Sequence, residues 1–321
     1  MRHKYTCSLR AVFLLILALF CCSCGKNDQT DARSETAEKA VSSGAVSSYS
    51  PGQTHVLIPK SAGTDTCSCD FFTLDFSNAD QGYFTGQLTG KDKKVNIQVT
   101  GPDNVIYNYF LETPDTSAVF PFTAGDGNYI VLAFENVGGD QYVSLFSYSL
   151  AVELENEFLP YLYPNQYVSF SGDSQAVKLA AELTADAETD LAALEVIYQY
   201  VTEHITYDDH KAATVQTGYL PDIDDTLQTG TGICFDYAAL TAAMLRSLSI
   251  PARLEIGYSS DVRHAWIDVY IESMGWVENA VEFNGKEWKL MDPTFASAAG
   301  GSDAINDYIG NGDNYTLQYV R

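Results

Sequence analysis

Basic residues are scarce in this 321-residue chain: 18 Lys and Arg stand against 42 Asp and Glu, giving a formal net charge of −24. A field of that sign repels nucleic acid and anionic lipid headgroups, so neither is an expected partner. Long apolar runs are scarce too. Apart from the one that begins at Ala11, no segment approaches the roughly 20 residues a membrane-spanning helix needs. No Gly-rich turn joins a strand to a helix with the required Lys or acidic partner, which removes the common nucleotide- and dinucleotide-binding classes. The acidic stretch 208–230, "DDHKAATVQTGYLPDIDDTLQTG", lacks the Asp-x-Asp-x-Asp-Gly loop and distal Glu of a calcium site. His204 and His210, which flank "ITYDD", have no partner set and read as surface residues. Neither a metal nor another cofactor is expected.

The one long apolar run has the layout of an export signal. Arg2, Lys4 and Arg10 precede it, and it ends in small residues and cysteines, "LFCCSCGK". That ending resembles a bacterial lipobox, in which the leader is cut before a cysteine that is then diacylated. Ser23 and Gly25 favour Cys24 as that residue; Cys22, with Leu19 three positions upstream, stays open, and so does a leader cleaved without lipid. The expectation is a leader over 1–23 and a protein held by its lipid on the outer face of a bacterial cytoplasmic membrane. Residues 24–52, rich in Ser, Ala, Gly and Glu, read as a disordered stalk.

Beyond this N-terminal region only Cys67, Cys69 and Cys234 remain. An odd number in an oxidising space leaves one thiol free. A bond between Cys67 and Cys69 would close a small strained ring, so two free thiols and a labile disulfide stand as alternatives. Residues 53–165 contain short alternating runs, "VNIQVTG", "YIVLAFEN" and "YVSLFSYSLAVEL", cut by Gly, Asp, Asn and Pro, the pattern of an antiparallel β-sandwich. From 166 to 321 the period becomes helical first, with Leu191, Leu194, Ile197, Tyr198 and Val201 on one stripe.

The stretch "TGTGICFDYAALTAAML", 229–245, puts Cys234 after a Gly/Thr turn, with Tyr237, Leu240, Thr241, Met244 and Leu248 at helical spacing and Pro251 as the stop. A thiol at a helix start faces unpaired N–H groups and the positive end of the dipole, which lower its pKa and can stabilise an oxyanion. A strand "ARLEIGY" follows, then "RHAWIDVYI", with His264, Trp266, Asp268 and Tyr270 on one face, then "EWKLMDPTF", which contains Asp292. A thiol needs a base, and an imidazole needs a carboxylate to fix its tautomer. Cys234, His264 and Asp292 supply these roles in that order.

The run "GICFDYAALTAAMLRSLSIPARLEIGY…HAWIDVYI…GWV…WKLMDPTF" resembles the transglutaminase-like superfamily: Gly-x-Cys, Tyr-Ala, an Ile-Pro-Ala-Arg turn, His-Ala-Trp and Asp-Pro-Thr appear in order, from about 190 to 300. The resemblance implies an α+β fold with a papain-like core, a central helix packed on an antiparallel sheet, here preceded by the all-β sandwich. It also implies that Cys234 is the nucleophile, His264 the general base and acid, and Asp292 the orienting carboxylate. Gln228 stands where papain-like proteases place an oxyanion donor, although a loop role competes; Tyr207 is a donor, cleft-wall or core-packing residue. The insert "VENAVEFNGKE" departs from the pattern and reads as a hairpin beside the site. The expected activity is acyl transfer through a thioester on a peptide or protein substrate, with hydrolysis (peptidase or deamidase) first, lysine cross-linking second and a non-catalytic binding module third.

Overall fold

The computed structural model describes residues 49–89, 93–112, 116–259, 262–283, 288–289 and 315–321. The segment 1–23 read as a leader, Cys22, Cys24 and Asp292 lie outside these residues. Strands β1 (Thr66–Cys69), β2 (Phe72–Asp75), β3 (Tyr83–Leu88), β4 (Val95–Thr100), β5 (Ile106–Leu111), β6 (Thr116–Pro121), β7 (Gly127–Gly138) and β8 (Gln141–Val152) build two antiparallel sheets, β1-β2-β3-β6 and β5-β4-β7-β8. Alternate residues of each turn inward. Phe72, Leu74, Phe84 and Phe120 of one sheet meet Ile97, Tyr109 and Val131 of the other in a single buried cluster, so the sheets form a sandwich. Cys67 lies fully buried there, and Cys69 is half-buried with a free thiol.

Helices α1 (Gln175–Leu183) and α2 (Asp190–His204), strand β9 (Thr206–Tyr207), helices α3 (Asp209–Thr214) and α4 (Ile223–Thr229), strand β10 (Thr231–Gly232) and helix α5 (Cys234–Ser247) follow. Strands β11 (Ala252–Ser259), β12 (Val262–Ile271), β13 (Gly275–Phe283), β14 (Trp288–Lys289) and β15 (Tyr315–Val320) make an antiparallel sheet in the order β14-β13-β12-β11-β15. The insert thus pairs as β13 with β14, Phe283 opposite Trp288. Every residue of α5 from Asp236 to Ser247 is buried. Ala238, Ala239, Ala242 and Ala243 keep the helix thin, which lets α1, α2 and α4 close on one side while β11 and β12 cover the other. It ends where Ser249 takes φ 63° and the Ile250 N–H turns back to the Leu245 carbonyl at 3.0 Å.

Two arginines join the sandwich to this core. Arg246, fully buried, donates to the carbonyls of Ala252 (2.9 Å), Tyr163 (3.0 Å) and Arg321 (2.8 Å), tying the end of α5 to β11, to the inter-sheet linker and to the segment after β15. Burial pulls its guanidinium down to about 9, still charged at neutral pH. The Arg321 guanidinium lies among the rings of Tyr107, Tyr109, Tyr167 and Tyr319 and donates to the Tyr109 hydroxyl at 3.1 Å. The segment assigned to the stalk differs at its end: Tyr49 donates to the Ala187 carbonyl at 2.7 Å and the Gly52 N–H reaches Thr184 O at 3.1 Å, and just beyond it the His55 N–H reaches Ser247 O at 2.7 Å. Helix-end carbonyls need partners, and this strand of chain supplies them.

Candidate active site

The thiol is positioned by the turn that precedes it. β9 and β10 run parallel, with Thr206 N–H on Gly230 O at 2.7 Å and Asp208 N–H on Gly232 O at 2.9 Å, so the chain enters α5 from a fixed point. A Cβ on Gly232 would sit 2.8 Å from Asp236 Cβ, which explains the glycine two residues before Cys234. Asp236, three residues after the N-cap Ile233, accepts the Ile233 N–H at 2.8 Å. Its fully buried carboxylate also holds Lys211 Nζ at 2.7 Å and the Tyr219 hydroxyl. A buried carboxylate requires such partners. They pin α3 and the 215–222 loop over the start of α5. Burial first, and the bond to Asp236 second, push the Tyr219 hydroxyl up to about 12.

Cys234 is half-buried, and its sulfur accepts from the Ala265 N–H on β12, with the Phe235 and Cys234 N–H groups also favouring the thiolate. The net shift is nevertheless upward, because burial outweighs these donors. The sequence-based expectation of a lowered thiol pKa is therefore reversed: the helix-start donors are present, but the packing of β12 over the sulfur costs the anion more. His264, the residue before Ala265, is buried, and burial takes its imidazole down to about 4. The His264 ring lies 6.2 Å from that of Trp266, and its cross-strand neighbour is Gly257. A Cβ on Gly257 would come 2.1 Å from Thr316 O and 2.9 Å from Trp266 Cη2, so only glycine lets β15 and Trp266 approach there.

Tyr207 stands near enough to Cys234 that a charge on the sulfur helps raise its hydroxyl, after burial, to about 12. Gln228 is placed differently from the loop reading: it is exposed in the last turn of α4. His204 and His210 are exposed, His204 stacked on Tyr200 at 4.1 Å. Among the described residues no three His, Cys, Asp or Glu side chains gather as a metal site.

Sequence reasoning missed two features of the site. One is Asp236, whose place three residues after a helix start is a readable capping-box signal. The other is a buried acid pair on the His264 face of the sheet. Glu255 lies opposite Trp266 in register and Arg253 opposite Asp268. Burial and then the Asp268 charge raise the Glu255 carboxyl far above the usual range, while a hydrogen bond from Trp266 partly opposes this. The Arg253 guanidinium lies 3.6 Å from the Trp276 ring centre.

Residues 177–280 match the model of the transglutaminase-like superfamily. This stretch is a transglutaminase-like domain. It spans α1 to β13 and contains Cys234 and His264. Kyphoscoliosis peptidase of Homo sapiens is 27% identical over 149 residues, which are 46% of this chain and 22% of that protein, so the chain spans about a fifth of its relative's length. Among solved structures, a protein of Cytophaga hutchinsonii described as a candidate cysteine protease is similar over 75% of this chain and 79% of its own, at 15% identity and a TM-score of 0.36. Red sea bream transglutaminase is similar over 66% and 48%, at 14% identity and a TM-score of 0.24.

Proposed function

We propose that the protein is a thiol-dependent acyl-transfer enzyme that hydrolyses peptide or amide bonds, with Cys234 as nucleophile, His264 as base and acid, and Asp292 as the carboxylate that orients His264. The observation that carries this reading is the Cys234 sulfur at the start of α5, bonded to the backbone N–H of the residue next to His264. In the reaction, Cys234 gives its proton to His264 as sulfur attacks the carbonyl carbon and the carbonyl electrons move to oxygen. The Cys234 N–H, with the Tyr207 hydroxyl as a further donor, stabilises that oxyanion. Collapse breaks the C–N bond, and His264 returns the proton to the departing nitrogen. Water, deprotonated by His264, then opens the thioester and regenerates the thiol. A His264 whose pKa burial lowers suits this sequence, since a neutral imidazole can accept the proton.

The name of the human relative, a peptidase, agrees with hydrolysis. The test is incubation of the full chain with peptide pools containing Gln and Lys, read by mass. New termini support proteolysis, and a glutamate in place of Gln supports deamidation; Gln–Lys bonds with loss of ammonia would show cross-linking instead. No change, or equal change with Cys234→Ala, overturns the enzyme reading in favour of a binding module. We further propose a lipid anchor at Cys24 or Cys22 that holds the protein outside a bacterial cytoplasmic membrane; an N-terminal fragment without a diacylated cysteine would overturn it. No helix among the described residues is long and apolar enough to cross a membrane.

A further inference from the structure

A cavity of about 730 Å³ lies between the sandwich and the core, well within the size range of ligand sites. One wall is strand β6, where Ser117, Ala118 and Val119 line the space. Among the described residues β6 is the edge of its sheet, paired only with β3. Residues of an antiparallel strand alternate between pointing their backbone groups at the partner and away from it. Val119 points away, because its carbonyl accepts the Gln166 N–H at 3.0 Å. Ser117 and Pro121 share its parity. Pro121 has no N–H to give β3, which fits that assignment. The N–H and C=O of Ser117 and the N–H of Val119 therefore face away from β3, and among the described residues no hydrogen bond takes them.

The facing edge is treated otherwise. The carbonyls of Phe110 and Asn108 on β5 are taken by Gln166 Nε2 at 2.7 Å and by the Tyr167 hydroxyl at 3.2 Å. The segment at 164–170 thus closes one edge and leaves most of the other open. The same segment leads to the thiol: Tyr167 packs on Phe235 with ring centres 5.8 Å apart. The opposite wall leads there too. Gly218 and Leu220 line the cavity, and Tyr219 between them contacts Phe235 at 6.3 Å. Both walls converge on the residue that follows Cys234.

We propose that this cavity binds the extended substrate chain as an added strand on β6, so that the sandwich supplies the distal subsite of the enzyme. Main-chain bonds at Ser117 and Val119 give affinity that does not depend on peptide sequence, and the walls of the cavity admit side chains on alternate positions. The inference rests on the peptide-bond reading of the reaction. A small amide substrate would not use the site; a peptide long enough to reach β6 would.

The test uses the full chain with Cys234→Ala and a degenerate pool of fluorescein-labelled dodecapeptides, read by polarisation and by hydrogen exchange. Binding with slowed exchange at the Ser117 and Val119 amides is expected. Ser117→Pro, which an outward-facing edge position accommodates, removes one donor and should weaken dodecapeptide binding about tenfold, the equivalent of about 1.4 kcal/mol. Its melting temperature should hold, and so should the alkylation rate of Cys234 when Ser117→Pro is placed in the chain that retains that cysteine. Turnover of the dodecapeptides by the wild-type chain with no change at these two amides overturns the subsite and leaves the reaction standing. Protection by peptide without turnover leaves the subsite and overturns the reaction. Amides already slow without peptide would mean that another part of this chain fills the edge, which also overturns the proposal, as does the absence of any binding.

Discussion

Asp236 and Lys211 form an ion pair of 2.7 Å in which the carboxylate is fully buried and the ammonium partly exposed, two residues from the thiol. The pair therefore carries an asymmetric penalty. Removing Lys211 leaves a buried anion with only the Ile233 N–H and the Tyr219 hydroxyl; removing the charge of Asp236 releases a lysine that can turn to water. Lys211→Met should cost about 3 kcal/mol by urea unfolding, and Asp236→Asn less. The double variant should be more stable than the sum of the single losses implies. Additive losses would show that the pair is not coupled.

The thiol itself gives the second prediction. Because burial raises Cys234 above its ordinary pKa and lowers His264, iodoacetamide alkylation of the free enzyme should be slow at pH 6 and climb through and beyond the normal thiol range. A flat, fast profile from pH 5 upward would demonstrate a resting ion pair and show that the thiol is not raised. Bound substrate that excludes water and supplies a carbonyl should still be attacked, since proton transfer to His264 accompanies attack.

Periodicity made much of this fold legible. The stripe at Leu194, Ile197 and Val201 is buried, α5 starts at Cys234 and stops before Pro251, and His264, Trp266 and Asp268 share a strand face. These are local regularities, written in spacings of two or of three and four. What escaped is what depends on distant packing. The partners of Asp236 come from α3 and a loop, Glu255 meets Asp268 only through strand register, and the net shift of the thiol depends on how closely β12 covers it. Arg246 looks like any helix-end arginine until three carbonyls from separate elements surround it.

Two buried groups should set the pH dependence of stability with opposite signs. His264 has a folded pKa of about 4 against an ordinary imidazole value of 6.5, so the unfolded chain binds the extra proton between these limits. Stability should rise with pH from about 4 to 6.5, by roughly 3 kcal/mol from this group. Glu255 is raised, so the folded chain retains a proton that the unfolded chain loses above about 4.5, and stability should fall as pH rises from there through neutrality. Glu255→Gln, which keeps a partner for Trp266, should remove the falling limb and leave the rising one. Melts between pH 4 and 9 read both; an unchanged falling limb in Glu255→Gln would place the retained proton elsewhere.

Asp292 decides whether the site is a working triad. Burial lowers the His264 imidazole toward about 4, and a neighbouring carboxylate opposes that shift by favouring the imidazolium. If Asp292 reaches the far nitrogen of His264, the histidine should titrate above 4 in the native chain, and Asp292→Asn should bring it down. The same substitution should cut turnover by about 10² to 10⁴ fold, through loss of tautomer control and of support for the charged ring, with little change in melting temperature. A residue that served only to pack the "DPTF" segment would behave the other way: a loss of about 1 kcal/mol in stability, an unmoved His264 titration and no specific loss of rate. Measured together on wild type, Asp292→Asn and Cys234→Ala, the histidine titration, the rate and the melt separate these cases. An Asp292→Asn protein that keeps wild-type turnover would remove Asp292 from the mechanism and leave Cys234 and His264 as a dyad.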